Sequence, residues 1–152
     1  VVYSNVQCFG IRNDYVERPD FNMTALMHQN IFQPVTMFKR ADYLSTDGYR
    51  PIPYGYEDWD FWIQMLNEND EAFKISKPLV FLRVKEHSMV TEISQSFEKD
   101  QRARELIYRM NRRKYQQKVP ELAIWFESKN NAKSLYLFLL KLKLRLSKYW
   151  KQ

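Results

Sequence analysis

The chain has 152 residues, of which 45% are hydrophobic and 16% aromatic, with only three glycines and six prolines. These values are typical of a globular domain and exclude a collagen-like, low-complexity or disordered chain. The single cysteine, Cys8, excludes an internal disulfide and favours a reducing compartment. The formal net charge is +6, and lysine and arginine crowd the chain from Gln101 onward. That basic part suits an anionic partner, either nucleic acid or a membrane surface.

Strand-forming residues open the chain, and because it begins inside this element we expect it to be part of a longer protein. The segment 50–56 is predicted to be irregular, since its two prolines and Gly55 oppose regular structure. Five elements are predicted before it: a strand over 1–9 that ends at Gly10, a loop or hairpin over 11–24, a short helix over 25–33, a short strand over 35–39 and a helical turn over 41–44.

A helix with one apolar face is predicted next, because Trp59, Trp62, Ile63 and Leu66 recur at helical spacing. The fold class is therefore α/β, with helices appended. We predict two domains, a mixed α/β part over residues 1–92 and a basic, all-helical extension over residues 93–152. The later elements are one or two strands over 72–84 and helices over 97–118, 121–128 and 132–150.

Three carboxylates, Glu57, Asp58 and Asp60, stand where this helix begins. One interpretation is that Asp58 caps the helix, while the other two acids stabilise its partly positive amino end and the tryptophans are core. The other is a sugar site, in which aromatic rings stack on a pyranose and a carboxylate takes a hydroxyl proton. A helix amino end lowers the pKa of a carboxyl group, whereas burial against tryptophan raises it.

Two motifs stand close together in the chain. A Gly-Tyr-Glu-Asp-x-Asp helix start lies in the stretch MFKRADYLSTDGYRPIPYGYEDWDFWIQML, and an Arg-Val-x-x-x-Ser-Met segment lies in the later stretch ISKPLVFLRVKEHSM. In these features the chain resembles the C-terminal half of a family 2 glycosyltransferase, and the resemblance covers about residues 1–90. It implies the C-terminal part of a GT-A fold, which is Rossmann-like with a mixed sheet.

The resemblance further implies an inverting transfer of one sugar from a nucleotide-sugar donor to a glycan or lipid-linked acceptor. Asp58 is the implied catalytic base. Glu57, Trp59, Tyr56 and Tyr54 are the candidates for acceptor binding, of which Trp59 is placed there by physical inference. Lys85 and His87 are candidates for contact with the donor diphosphate, although a surface loop histidine remains the alternative for His87.

A divalent cation, Mn²⁺ or Mg²⁺, is implied for the full-length enzyme, with no ligand for it in this chain. The nucleotide-binding half is not in these residues either, so we expect the chain alone to be inactive. The resemblance also implies bacterial surface-polysaccharide synthesis, in the cytoplasm or on the inner face of the cell membrane.

In the last predicted helix, Lys141, Arg145 and Lys148 form a basic stripe beside leucines, a pattern typical of a helix that lies on an anionic membrane. An ordinary amphipathic helix packed on its own domain remains the alternative. Two other functions stay open. The first is a nucleic-acid-binding module, which the basic run RARELIYRMNRRKYQQK would suit, although the resemblance implies no nucleic-acid partner. The second is a purely structural interaction domain. An exposed sheet edge would favour a homodimer.

Overall fold

The computed structural model of the chain describes residues 1–32, 35–88, 92–93 and 95–129. It has a mixed α/β architecture. In chain order the elements are β1 (Val2–Gly10), β2 (Tyr15–Val16), α1 (Met23–His28), α2 (Arg40–Leu44), α3 (Glu57–Met65), β3 (Phe73–Val84), α4 (Phe97–Met110) and α5 (Arg112–Lys118). Residues 120–129 are helical as well and are called α6.

The three strands form one small mixed sheet in the order β2-β1-β3. β2 is antiparallel to β1, whereas β3 runs parallel to it and is reached through α3. The register of β3 shifts near its start, because Ser4 lies opposite Ile75 while Asn5 lies opposite Pro78. A proline has no backbone N–H for a ladder bond, and an irregular register is where a sheet tolerates one.

Several predicted elements are confirmed: the opening strand, the helical turn at 41–44, the helix that carries the acids, and the strand over 72–84. The predicted strand over 35–39 is wrong. Only Met37 pairs there, in a single bridge with Val2, so one residue of the segment reaches the sheet. The predicted helix over 25–33 begins earlier, at Met23, because the Asn22 side chain accepts a hydrogen bond from the first turn. The predicted helix over 97–118 is interrupted at Asn111.

α3 is the central element of the core. Phe61, Trp62 and Ile63 are 0% exposed, and Trp59 is 2% exposed. The Trp62 ring lies 5.4 Å from the Phe32 ring, centre to centre. The predicted face of Trp59, Trp62, Ile63 and Leu66 is therefore buried, and burial extends beyond it, since three consecutive positions cannot share one face of a helix. Surrounding segments cover α3 on every side, which explains why an aromatic-rich helix carries so few exposed residues.

Packing divides the chain into two compact units, the first from Val1 to Asn111 and the second from Arg112 onward. Within the second unit, the Tyr115 and Phe126 rings meet edge to face. The domain division predicted at residues 92 and 93 stays a prediction. So does the membrane-surface helix over 132–150, which lies outside the described residues. Within the part of the chain that the structure describes, no helix is both long and apolar enough to cross a membrane.

One face of the sheet carries exposed apolar side chains. Leu79 and Phe81 of β3 alternate onto the same face and are 59% and 69% exposed. Gln7 lies opposite Phe81, so Phe9 shares that face, and it is 44% exposed. Among the described residues, β3 pairs only with β1. The expected exposed edge and face are present in this part of the chain, and the homodimer stays a prediction.

Candidate functional site

The loop before α3 has an unusual backbone. Tyr54, Gly55 and Tyr56 have φ angles of 78°, 115° and 75°, so three consecutive residues occupy the left-handed region. Glycine adopts this conformation freely, whereas a tyrosine does so at a cost of roughly 1–3 kcal/mol. Tyr56 is the N-cap of α3 and makes no side-chain capping bond. Asp58, at the second helical position, therefore does not have the capping position that one sequence interpretation assigned to it.

Asp58 is half-buried, and each of its oxygens accepts one hydrogen bond. The Asn30 side-chain nitrogen donates to Oδ2 at 2.9 Å. The backbone N–H of Trp59 donates to Oδ1 at 2.8 Å, which satisfies one of the unpaired donors of the first turn. The backbone N–H of Asp58 itself also stabilises the charged form. An ionised carboxylate has about four acceptor positions, so these bonds do not saturate it.

The pKa of Asp58 is raised above its ordinary value. Burial is the largest cause, and the negative charge of Glu57 adds to it. The hydrogen bonds from Asn30 and from the Trp59 backbone act in the opposite direction, because they stabilise the charged form. Of the two opposing effects identified in the sequence, burial therefore outweighs the helix amino end. A higher pKa makes the carboxylate a stronger base.

An open cavity of about 340 Å³ lies beside this helix start. Of the predicted residues, Glu57 and Tyr54 line it. Asp58 does not line the cavity, but its charge and that of Glu57 both raise the pKa of Tyr49, after the larger effect of burial, so this ring lies near both carboxylates. The side chains or backbone that form the cavity wall belong to Tyr49, Arg50, Pro51, Ile52, Tyr54, Gly55 and Glu57.

Trp59 and Tyr56 do not form an open binding surface. The Trp59 indole is buried and donates its N–H to the Leu26 carbonyl oxygen at 2.6 Å. The Tyr56 hydroxyl donates to Asp100 at 2.9 Å, and burial is the main cause of its raised pKa. The Arg104 guanidinium carbon lies 5.0 Å from the centre of the Trp59 ring. Both rings thus pack against α4 and support the loop, which leaves Tyr54 as the exposed ring among the predicted acceptor residues.

A buried polar network ties the loop to α3. Asp60 is 0% exposed and accepts two hydrogen bonds from Arg50, at 2.8 and 2.5 Å. Gln64 donates to Asp60 at 3.0 Å and also to the Gly48 carbonyl oxygen. Asn111, at the end of α4, donates to Asp60 at 2.6 Å. From the sequence, Asp60 was expected only to stabilise the amino end of the helix. A carboxylate between Trp59 and Phe61, within an aromatic run, was the signal that it has a buried partner.

Lys85 and His87 lie on the exposed segment that follows β3. Neither forms a hydrogen bond or an ion pair with any described residue. The carboxyl end of α3 shares a cavity of about 620 Å³ with Val1 and Phe73, at the amino ends of the two parallel strands. Lys85 and His87 follow the carboxyl end of β3, the end of a parallel sheet where ligands bind in open α/β folds. The described contacts do not bring them to the Glu57–Asp58 pair, since Asp58 is connected through Asn30 and Arg18 to the middle of β1.

No group of three or more His, Cys, Asp or Glu side chains that could hold a metal occurs among residues 1–32, 35–88, 92–93 and 95–129. The divalent cation implied for the full-length enzyme stays a prediction. Comparison with protein-family models, with curated proteins and with solved structures finds no match.

Proposed function

We propose that this chain is the acceptor-side part of an inverting glycosyltransferase of the GT-A type, in which Asp58 is the catalytic base. The observation that carries the proposal is a half-buried carboxylate of raised pKa at a helix start, whose neighbour Glu57 lines an open cavity with exposed tyrosine rings. A group of this kind is a candidate for proton transfer, because burial moves its pKa toward the working pH. The implied cation takes no part in the chemistry assigned to this chain.

In the proposed reaction, a hydroxyl group of the acceptor sugar gives its proton to a free lone pair of Asp58. The acceptor oxygen then forms a bond to the anomeric carbon of the donor, on the face opposite the diphosphate. The bond from that carbon to the diphosphate oxygen breaks, and the nucleoside diphosphate leaves with the electron pair. The anomeric configuration is inverted. A positioned base of this type contributes about 10²–10⁴-fold to the rate.

The cavity residues suit a sugar ring as acceptor. Tyr49 and Tyr54 are 48% and 40% exposed, so both rings can pack against the apolar face of a pyranose. Glu57 lines the same cavity and can accept a hydrogen bond from a second hydroxyl group. We assign contact with the acceptor sugar to Glu57 and Tyr54, as predicted from the sequence, and also to Tyr49. Tyr56 and Trp59 are assigned to support of the loop, because their polar atoms are already bonded within the protein.

Donor binding is proposed for the carboxyl end of β3. Lys85 and His87 follow β3 there, and Lys85 can meet a diphosphate as a point charge. β3 has an unpaired edge among the described residues, and a nucleotide-binding half would extend the sheet at that edge. Synthesis of a bacterial surface polysaccharide, on the cytoplasmic face of the membrane, stays part of this proposal.

The nucleic-acid alternative has less support, because much of the positive charge of α4 is neutralised within the helix. Arg102 contacts Glu98 at 2.7 Å, and Arg104 contacts Asp100 at 2.8 Å. A phosphate-contacting arginine displaces the cations condensed on the nucleic acid, and an arginine already paired with a carboxylate must first give up that partner. A structural interaction domain remains the other alternative, and it predicts that the charge of Asp58 has no role in turnover.

The test is a transfer assay on the full-length protein that contains this chain. The protein is incubated with a panel of nucleotide sugars and acceptor glycans, and released nucleoside diphosphate is measured. We expect Asp58→Asn to lower kcat by about 10²–10⁴-fold, since the amide cannot take the proton. Asp20→Asn is the matched control, because Asp20 is an exposed acid that pairs with Lys74 at the surface. Full turnover by a folded Asp58→Asn protein would refute the assignment of the base.

A further inference from the structure

We propose that Asn30 is a positioning residue for Asp58: it fixes one carboxylate oxygen and keeps the buried carboxylate ionised. The inference rests on the proposed function for its catalytic consequence, but the contact itself does not depend on that function. Asn30 follows α1 and is separated from Asp58 by 28 residues, so only the fold brings them together.

The orientation of the Asn30 amide is determined by its two neighbours. The backbone N–H of Phe32 donates to Oδ1 of Asn30 at 3.2 Å. An N–H group requires an acceptor, so the oxygen of the amide must lie on that side. The NH₂ group therefore points to the other side, where it lies 2.9 Å from Oδ2 of Asp58. With both ends of the amide bonded, Asn30 cannot rotate away from the carboxylate without losing two hydrogen bonds.

A half-buried arginine holds the segment that carries Asn30. The Arg18 guanidinium donates to three consecutive carbonyl oxygens, those of Asn30, Ile31 and Phe32, at 3.0, 3.0 and 3.2 Å. The backbone N–H of Arg18 donates to the side chain of Asn5, a buried residue of β1. The position of Asn30 is thus connected to the central strand of the sheet, and a supporting shell of this kind fixes the geometry of the group it contacts.

Apart from the uncharged Asn30, three charged or titratable side chains face Asp58. They are Glu57 on the same helix, Tyr49 from the preceding loop and Arg18 from the segment between β2 and α1. Glu57 opposes the ionised form and Arg18 favours it. The Arg18 donors that form hydrogen bonds with described residues bind backbone carbonyl oxygens and not the carboxylate. Asn30 is therefore the side chain that binds the charged form of Asp58 directly.

Asn30→Asp tests this role with little change of shape. Its oxygen still accepts the Phe32 N–H, while the donor to Asp58 is replaced by a second carboxylate. Two carboxylates that share a site raise one pKa strongly, so we expect the acidic midpoint of the pH–rate profile to rise by at least about one pH unit, which corresponds to about 1.4 kcal/mol. Asn22→Asp is the matched control, because aspartate also caps helices and Asn22 contacts α1 rather than Asp58.

Two measurements on the full-length protein separate this inference from the proposed function. The ¹³C signal of the Asp58 carboxyl group is titrated in the wild-type, Asn30→Asp and Asn22→Asp proteins, and the pH–rate profile is recorded for each. An upward shift in Asn30→Asp alone supports the inference, and the carboxyl titration gives this result even without turnover. An unchanged Asp58 titration in a folded Asn30→Asp protein overturns it. Absence of transfer by the wild-type protein counts against the proposed function instead.

Asn30→Ala is the second variant, for the case in which Asn30→Asp does not fold. It removes the donor without adding a charge, so the Asp58 midpoint still rises, by less than in Asn30→Asp because water can replace part of the lost hydrogen bond. A midpoint equal to that of the wild-type protein in folded Asn30→Ala overturns the inference in the same way. A merely structural asparagine would change stability or expression but not the titration of Asp58.

Discussion

Removal of the Asp60 carboxylate is expected to destabilise the first unit strongly. Asp60 is 0% exposed and accepts four hydrogen bonds, two from Arg50 and one each from Gln64 and Asn111. In Asp60→Leu the Arg50 guanidinium keeps its charge in a site where its side chain is only 17% exposed. Loss of one partner of a buried ion pair costs about 3–5 kcal/mol, because the remaining charge loses its buried counterion. Arg50 retains an ion pair with the exposed Asp47 carboxylate at 3.6 Å, so we expect a cost toward the lower end of that range.

The double variant Arg50→Met/Asp60→Leu separates this desolvation cost from the loss of packing. It removes both charges and leaves two apolar side chains, so we expect its free energy of unfolding to fall by less than the sum of the two single changes. Arg102→Met is the matched control. Arg102 pairs with Glu98 on the surface of α4, with side chains 64% and 75% exposed, and such helix pairs contribute about 0.3–0.5 kcal/mol.

Urea denaturation followed by tryptophan fluorescence measures these differences. With an m-value of about 2 kcal/mol per M, a cost of 3–5 kcal/mol moves the midpoint of Asp60→Leu down by about 1.5–2.5 M. Arg102→Met is expected to move it by less than about 0.3 M. Equal midpoints for Asp60→Leu and Arg102→Met would refute the reasoning, since they would mean that Asp60 reaches water in the folded protein.

Two further predictions concern the sheet and the base. Gly10→Ala lowers the urea midpoint by the equivalent of about 1–3 kcal/mol, because φ at Gly10 is +103° and an added Cβ lies 2.5 Å from the Val84 carbonyl oxygen; an unchanged midpoint would contradict the described end of β1. The difference in stability between the wild-type protein and Asp58→Asn depends on pH, because a pKa raised by burial means that the charged form of Asp58 opposes folding. The stabilising contribution of the protonated Asp58 is fully present below its ordinary pKa of 3.8 and is lost as pH rises through the folded-state pKa, so the wild-type protein loses stability relative to Asp58→Asn over that range. A difference between the two proteins that does not change with pH, measured by urea titration, would contradict the raised pKa.

The local elements were the most predictable part of the chain. The opening strand, the turn at 41–44, α3 and β3 follow from patterns within a few residues, and the structure has all of them. The segment over 35–39 has the same strand-forming composition, but only Met37 pairs with the sheet. A strand requires a partner along its length, and whether one is available is a property of the packed chain. Composition therefore predicted that segment incorrectly.

The residues of the candidate site were likewise predictable only in part. The sequence identified Glu57 and Asp58, because acids at a helix start after an aromatic loop form a local pattern. It also proposed Trp59 and Tyr56 as acceptor contacts, whereas the indole N–H and the hydroxyl group are bonded to Leu26 and Asp100. Spacing along a helix predicts which residues share a face, but what covers that face is decided by segments that are distant in the chain.

The sequence by itself determined that a carboxylate pair opens an aromatic helix within a mixed α/β chain. Only the tertiary structure decided the environment and the role of each carboxylate. Glu57 lines the cavity, Asp58 has its pKa raised by burial, and Asp60 is held by Arg50 beneath the loop. The three acids have almost the same local sequence, so their differences come from the partners that the fold brings to each of them. Burial and hydrogen bonding act through space, and they set the charge and the chemistry of a carboxylate more strongly than its neighbours in the chain do.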